Sequence, residues 1–305
     1  MTSLDLFQGC LLGLSLGDAL GAPYEGGVLE RLLWRLIGKT SQGEMRWTDD
    51  TQMTIDLTES YLARGEFDAA DLAVRFAGSY RWDRGYGPGT AKVLKRITRG
   101  ADWKQANRSV YPGGSFGNGA AMRAPILGLI KANRMDEIAD IARQTAIVTH
   151  AHPLAIEGAV LIATTTALAT QERVPSEILN LTAACCSEEA FTSRLAIVQS
   201  WLKSRHIATT LEIARQLGRG VAADKSCVTA VYLALNYLNE PFLEMVNVIT
   251  KLGGDADTIG AMAGAIWGAA NGATKLPAES LSKLEQRERL TDLAGQLYRR
   301  IIASD

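Results

Sequence analysis

Several residue types that carry common chemistries are scarce in this sequence. Its 305 residues include only three histidines and four cysteines, and no long run of basic or acidic residues. The cysteines form no C-x-x-C pair and no spacing typical of a disulfide framework, which indicates a reducing compartment and a cytoplasmic protein. Because 32 basic residues are balanced by 33 acidic ones, no broad basic field is available for nucleic acid. We expect small, locally recognised partners.

Long hydrophobic runs are also missing. The N-terminal stretch MTSLDLFQGCLLGLSLGDALGAP has no Lys or Arg ahead of its apolar part and carries Asp5 and Asp18, so it does not fit a signal peptide. The apolar run from Ile259 is shorter than the roughly 20 residues that a membrane-spanning helix needs. We therefore expect no membrane partner.

Helical periodicity, by contrast, is present along the chain. Apolar positions recur at intervals of three and four, no period-2 run is long enough to require a sheet, and there is no linker or tandem repeat. The sequence predicts an all-α fold with a single domain over residues 1–305. Helix starts are predicted at Asp49, Asp68, Gly119, Asp136, Pro153, Ser226 and Asp257, and helix ends near Gly65, Gly100, Gly218 and Gly272.

Glycine recurs at every fourth position in two distant segments. The two sets are Gly9, Gly13, Gly17 and Gly21, and Gly260, Gly264, Gly268 and Gly272. Each set lines one helical face, where a glycine costs about 1 kcal/mol relative to alanine. Close approach of neighbouring helix backbones would offset this cost. Such packing would also bring Asp18, Asp255 and Asp257 toward one central region.

Two short motifs place paired carboxylates and a hydroxyl at predicted helix starts: TDDT at residues 48–51 and DADT at residues 255–258. One interpretation is a pair of N-caps, with Asp49 and Gln52 forming a capping box. A cap needs only one carboxylate, however, and each motif offers two, which favours a bound cation. Oxygen ligands without sulfur or imidazole indicate Mg²⁺, Mn²⁺ or Ca²⁺ rather than zinc.

Other motifs are weaker when each is taken alone. GYGPGT from Gly85 follows no predicted strand, so it does not indicate a dinucleotide fold. GGSFGNGAAMR from Gly113 leads into a predicted helix start, which favours an anion such as phosphate. THAHPL contains His150 and His152, whose spacing does not suit a zinc pair. Glu25 alone would be interpreted as a solvated surface acid.

Taken together and in this order, GDALGAPYE, WTDDTQM, RGYGPGT, SFGNGAAMR, THAHPL and GGDADTIGAMAG resemble the motifs of the ADP-ribosylglycohydrolase family. The resemblance implies a compact, orthogonal helix bundle whose central cleft holds two Mg²⁺ or Mn²⁺ ions. Carried over position by position, it implies the metal ligands Thr48, Asp49, Asp50, Asp255, Asp257 and Thr258.

Within the family, RGYGPG and the SFGNG loop with Ser115 resemble the branch that hydrolyses serine-linked ADP-ribose, poly(ADP-ribose) and O-acetyl-ADP-ribose. Arginine-type members have an aspartate in place of Ser115. In the serine-type branch a mobile glutamate is the catalytic carboxylate, and Glu25 matches it. The resemblance further implies substrate contacts from Gly87, Ser115, Phe116, Gly117, Asn118, Gly119 and His150, while Tyr111 only approximates the expected stacking aromatic.

The resemblance therefore implies a metal-dependent hydrolase that cleaves the ribosyl anomeric bond of an ADP-ribosylated protein or related O-linked substrate, and we expect it to be a monomer. Glu25 would protonate the leaving oxygen, and Asp257 is a candidate general base. Three alternatives stay open: an ADP-ribosyl-arginine hydrolase, a metal-dependent phosphohydrolase that would release phosphate, and a non-catalytic ADP-ribose binder. A binder would be expected to lose ligands or the glutamate, and all of these residues are present.

Overall fold

Helices form the whole framework of the protein. The computed structural model describes residues 3–303, and within this range there is no β-strand, which confirms the all-α prediction. The α-helices are α1 (Leu4–Gly21), α2 (Val28–Ile37), α3 (Asp49–Arg64), α4 (Ala69–Ser79), α5 (Pro88–Thr98), α6 (Trp103–Val110), α7 (Pro125–Ile130), α8 (Ile138–Ala146), α9 (Pro153–Ala169), α10 (Pro175–Ala183), α11 (Glu189–Ser204), α12 (Thr210–Gln216), α13 (Ala223–Asn236), α14 (Phe242–Leu252), α15 (Ala256–Asn271), α16 (Ala278–Leu281) and α17 (Arg287–Ile302). Short 3₁₀ segments lie at Ala22–Tyr24, Trp82–Arg84, Asn118–Ala120, Met135–Glu137 and Ala273–Lys275.

The predicted close approach of helix backbones is confirmed, and the structure adds that the two glycine sets pack against each other where α1 crosses α15. A Cβ added to Gly17 would lie 2.0 Å from the carbonyl oxygen of Gly260, and one added to Gly264 would lie 2.2 Å from that of Gly13. Side chains larger than hydrogen would therefore separate the helices. The contact buries nearly all of both helices, including the polar Asp18 and Asp257.

Helix α15 lies at the centre of the molecule. Around it pack α1, α9, α13 and α14. Helix α9 is apolar and buried on nearly all sides, as expected for a helix enclosed by others rather than facing solvent. Because α15 is enclosed in this way, the acidic residues at its N-terminus lie inside the protein. No helix among residues 3–303 combines the length and the apolar composition needed to cross a bilayer.

The helix ends correct two details of the sequence interpretation. Thr48, not Asp49, is the N-cap of α3, and its Oγ1 accepts a hydrogen bond from Asp50 N at 3.3 Å. The proposed capping box with Gln52 is therefore wrong, which leaves both aspartates of TDDT without a capping role. Helix α13 begins at Ala223 rather than Ser226; it has no side-chain cap, and Ala223 N donates to Phe116 O at 3.0 Å.

Predicted starts at Gly119 and Asp136 fall inside 3₁₀ segments, not at α-helix starts. In the Gly119 segment, Asn118 N donates to Val221 O at 2.9 Å. The remaining predicted ends agree with the structure to within a few residues, and Gly65 is a left-handed C-cap with φ of 79°.

We expect Gly13→Ala to lower the free energy of unfolding strongly. Its Cβ would lie 2.3 Å from Gly264 O, so the helices must separate, and overpacking of this kind typically costs about 1–3 kcal/mol. Gly78→Ala is the matched control, because Gly78 is on the exposed face of α4 with no atom within 4 Å of the added Cβ. It should be neutral or stabilising by up to about 1 kcal/mol. Equal urea midpoints for the two variants would contradict the packing argument.

Candidate active site

Asp18 joins α1 to the N-terminus of α3. Its buried carboxylate accepts hydrogen bonds from Thr48 N at 3.0 Å, from Thr51 N at 3.1 Å and from Thr51 Oγ1 at 2.6 Å. Burial raises the pKa of Asp18 to about 6, although these bonds favour its charged form. The carboxylate therefore fixes the TDDT segment against α1, with its oxygens occupied by amides and a hydroxyl.

Asp50 has one oxygen paired and one unpaired. Its Oδ2 accepts hydrogen bonds from Thr48 Oγ1 at 2.8 Å and from Thr258 Oγ1 at 3.3 Å, so the TDDT and DADT motifs meet at this atom. Its Oδ1 is buried without any hydrogen-bond partner, and Asp50 is only 1% exposed. Burying a carboxylate oxygen with no hydrogen-bond donor costs free energy, unless a cation contacts that oxygen.

The DADT carboxylates are placed by the Gly-Gly pair before them. Gly254 has φ of 80°, and a Cβ there would lie 2.1 Å from Arg219 O, so only glycine fits this turn. Asp255 N donates to Arg219 O at 2.9 Å, which turns the chain into α15. Thr258 N donates to Asp257 Oδ1 at 2.8 Å.

Glu25 lies beside these carboxylates although it is far from them in sequence. Gly26 N donates to Gly254 O at 3.0 Å, which holds the Glu25 segment against the turn before α15. Carboxylate oxygens of Glu25, Asp255 and Asp257 lie within 4.8 Å of one another, in a group that can hold a metal ion. Glu25 is therefore not a solvated surface acid.

The electrostatics of this cluster favour a cation. Burial, followed by repulsion from Glu25, raises the pKa of both Asp49 and Asp257 well above the usual range. Burial also raises the pKa of Asp50, and it raises that of Asp255 to about 7. The oxygen-only donor set and the unpaired Asp50 Oδ1 both fit a hard divalent ion, which would neutralise the repulsion.

The glycine-rich loop lines the same cavity as the carboxylates. Gly117 and Ala222 form an isolated antiparallel bridge, which anchors the loop to the start of α13. Asn118 Nδ2 donates to Ser226 Oγ at 2.9 Å and also to Asp255 Oδ2. The loop is thus tied directly to the acidic cluster.

A cavity of about 200 Å³ lies between the loop and the carboxylates. Of the residues predicted for the site, it is lined by Glu25, Asp49, Gly87, Ser115, Gly117, Asn118, Gly119, His150, Asp255, Asp257 and Thr258, and Tyr111 also lines it. Thr48 and Asp50 are buried behind this surface. Phe116 does not line the cavity: it is 53% exposed, and its ring packs edge-on near His152.

Arg84 and Glu285 form a buried ion pair that sequence analysis did not identify. The two side chains make paired hydrogen bonds of 2.7 Å, and Arg84 Nη1 also donates to Trp47 O at 2.7 Å. The guanidinium lies 3.7 Å from the centre of the Trp47 ring. Because Trp47 precedes Thr48, this pair fixes the start of the TDDT segment. No local signal could reveal it, since 201 positions separate the two residues.

Arg123, the last residue of SFGNGAAMR, was likewise not identified as part of the site. It is 1% exposed, and its Nη1 donates to Gly119 O at 2.7 Å. Burial lowers the pKa of Arg123 to about 9, so the guanidinium is still a cation at neutral pH. An arginine within an otherwise apolar run, AAMRAPILGL, is the sequence signal that could have found it.

Known proteins resemble this chain along its whole length. A family model described as ADP-ribosylglycohydrolase matches residues 1–305. ADP-ribosylhydrolase ARH3 of Bos taurus is 34% identical over 97% of the chain and 93% of the relative. The ADP-ribosyl-dinitrogen reductase glycohydrolase of Rhodospirillum rubrum is 28% identical over 93% of the chain and 91% of the relative. A solved structure of an ADP-ribosylglycohydrolase-related protein complex superposes with a TM-score of 0.72 at 28% identity, with 98% of each chain covered.

Proposed function

The chain belongs to the ADP-ribosylglycohydrolase family, and from this premise we propose that it hydrolyses the ribosyl anomeric bond of O-linked ADP-ribosylated substrates and releases ADP-ribose. Substrates of this class are ADP-ribosyl-serine, poly(ADP-ribose) and O-acetyl-ADP-ribose. The observation that supports the proposal most directly is the cavity, which is lined by carboxylates from two helix N-termini, by Glu25 and by the glycine loop.

The proposed cofactor is a pair of Mg²⁺ or Mn²⁺ ions. The residues that would hold them are Thr48, Asp49, Asp50, Asp255, Asp257 and Thr258. The unpaired, buried Asp50 Oδ1 and the raised pKa values of the neighbouring aspartates support this assignment. When bound, the ions would supply Lewis acidity that fixes the ribose hydroxyls and makes a water more acidic.

Glu25 would protonate the leaving oxygen. A carboxylic acid performs this task only if it holds its proton near neutral pH, and burial raises the pKa of Glu25. Departure of the leaving group gives an oxocarbenium-like transition state, whose positive charge the surrounding aspartates would stabilise. Asp257 lines the cavity within reach of Glu25 and is the proposed general base.

The glycine loop would bind the nucleotide part of the substrate. Gly117, Asn118 and Gly119 line the cavity with Ser115 and His150, and a loop without bulky side chains lets a diphosphate approach the backbone closely. Gly87 lines the cavity from the opposite loop, and no atom lies within 4 Å of a Cβ added there. Phe116, exposed beside the cavity, would contact only a substrate that extends beyond it.

The proposal also covers the setting of the enzyme. We propose one catalytic domain over residues 1–305, because a single buried core includes residues from α1 to α17. The partner would be an ADP-ribosylated protein, and the enzyme would act as a cytoplasmic monomer. The near balance of charge and the absence of a disulfide-like cysteine pattern support the compartment.

We expect a serine-linked substrate to be hydrolysed at least about tenfold faster than an arginine-linked one. Ser115 is neutral and lines the cavity, so the site lacks a carboxylate there to attract a guanidinium. Ser115→Asp should narrow this ratio. The measurement is kcat/KM for both substrates with Mg²⁺, with EDTA as the metal-free control and phosphate release followed in parallel. Faster arginine turnover would support the arginine-hydrolase alternative, and phosphate release would support a phosphohydrolase.

A further inference from the structure

His150 has one ring nitrogen bonded and the other directed at the glycine loop. The residue is 5% exposed and lines the cavity. A Cβ added to Gly117 would lie 3.4 Å from His150 Nε2, and one added to Gly119 would lie 2.8 Å from it. Among residues 3–303, the His150 side chain makes one hydrogen bond, through Nδ1, and none through Nε2.

The partner of Nδ1 is the hydroxyl of Thr149. His150 Nδ1 and Thr149 Oγ1 are 2.8 Å apart, and Arg123 Nη2 lies 3.0 Å from the same hydroxyl oxygen. A guanidinium can only donate, so Thr149 Oγ1 accepts from Arg123. A hydroxyl oxygen can accept a second hydrogen bond, but among residues 3–303 the only acceptor within hydrogen-bonding distance of the Thr149 hydroxyl is His150 Nδ1. The hydroxyl proton therefore points at Nδ1, which accepts it.

This pattern determines where the proton of the imidazole lies. A neutral histidine carries one proton, and when Nδ1 accepts a hydrogen bond, the proton is on Nε2. Burial and the nearby charge of Arg123 lower the pKa of His150 to about 3, which keeps the ring neutral. The cavity therefore faces an N–H donor rather than a lone pair or a full positive charge.

Arg123 is itself held rigidly in place. Its Nη1 donates to Gly119 O at 2.7 Å, its Nη2 donates to Thr145 O at 3.0 Å, and its guanidinium lies 4.7 Å from the centre of the Phe76 ring. One buried cation thus contacts both the loop carbonyl and the hydroxyl that controls the histidine. The loop and the ring are oriented by the same side chain.

We propose that Arg123 and Thr149 are positioning residues that keep His150 in the Nε2–H form, so that it donates a hydrogen bond to an oxygen of bound ADP-ribose. The inference rests on the proposed function for the identity of the ligand. The opposite tautomer would present a nitrogen lone pair to the same oxygen, which is repulsive. Control of the tautomer would therefore contribute to affinity without adding charge.

The test is ¹⁵N NMR of the histidine rings in the full chain without ligand. With only three histidines in the sequence, His152→Ala and His206→Ala assign the signals by elimination. Wild type is expected to show His150 protonated at Nε2. Thr149→Val, which removes the hydroxyl at nearly constant shape, should give substantial Nδ1–H, whereas Thr149→Ser should keep the wild-type tautomer. Nδ1–H in wild type, or an unchanged tautomer in Thr149→Val, would overturn the proposal.

Calorimetry with ADP-ribose and Mg²⁺ then links the tautomer to binding. We expect Thr149→Val to weaken affinity about tenfold, which corresponds to the loss of one good hydrogen bond, and Thr149→Ser to restore it. Equal ADP-ribose affinities for wild type and Thr149→Val would contradict the proposed hydrogen bond from His150 Nε2 to the ligand. Failure of wild type to bind ADP-ribose would count against the proposed function, and the tautomer measured without ligand would be unaffected. If Thr149→Val does not fold, the wild-type and Thr149→Ser spectra still decide the tautomer.

Discussion

Asp257→Ala is expected to abolish hydrolysis and to weaken Mg²⁺ binding at least about a hundredfold, beyond the 10–100-fold typical of residues that only support metal ligands. Asp257 shares a group of carboxylates that can hold a metal ion with Glu25 and Asp255, and it lines the cavity. Loss of its carboxylate would leave the unpaired Asp50 Oδ1 without enough neighbouring ligands to hold a cation. Calorimetry and turnover of a serine-linked substrate measure the two effects.

The same substitution should have opposite effects on stability with and without metal. In the metal-free protein, mutual repulsion among the buried carboxylates opposes folding, so removal of one of them should raise the melting temperature. With saturating Mg²⁺ the variant should be the less stable protein, because it has lost the stabilisation that ligand binding gives the native state. Asp292→Ala, on the exposed face of α17, is the control. It should change the melting temperature neither in the metal-free protein nor with saturating Mg²⁺. If Asp257→Ala binds Mg²⁺ with unchanged affinity, the assignment of Asp257 as a metal ligand is refuted.

Glu25→Gln is expected to lower kcat on a serine-linked substrate by about 10²- to 10⁴-fold, the usual range for general acid–base catalysis. The amide keeps the size of the side chain and loses the transferable proton. The backbone bond from Gly26 N to Gly254 O does not involve the side chain, so the segment should stay in place. ADP-ribose affinity should therefore change by no more than a few-fold.

The leaving group makes this test specific for the acid role. A serine alkoxide leaves poorly and needs a proton, whereas an activated aryl conjugate leaves well without one, so Glu25→Gln should affect the serine substrate more. Glu30→Gln is the matched control, because Glu30 lies close in sequence but is exposed and, among residues 3–303, accepts a hydrogen bond only from Gly27 N at 3.1 Å. Its turnover should resemble wild type. An equal decrease in kcat on both substrates would show that Glu25 does not protonate the leaving group.

Local sequence signals were sufficient for much of the fold and part of the site. The helical period, the glycine spacing and the two acidic motifs are each contained within about twenty residues, and each corresponds to an observed feature of the structure. The aspartates of TDDT were found for the same reason, although their capping role was assigned to the wrong residue: Thr48 is the cap, and this is visible only in the backbone angles.

Long-range partners could not be found from the sequence alone. Asp18 looked like a buried acid near the centre, but its hydrogen bonds to Thr48 and Thr51 depend on how α1 meets α3. The pairing of Arg84 with Glu285 depends on the C-terminal segment returning to Trp47, which no spacing encodes. Asp18 and Arg84 lie within quoted motifs, but a motif does not show which distant residue its members contact.

The packing of α1 on α15 also has a consequence for how the protein is synthesised. Thr258 and Asp50, which meet in the site, are 208 positions apart, and the paired glycine faces are at least as distant. Contacts of such high sequence separation form late and slow folding, although closing a long loop costs little additional stability. At about 5–20 residues per second, the ribosome would release α1 well before its partner exists. During that interval an apolar, glycine-lined helix would be uncovered, which makes the nascent chain a natural client for chaperones.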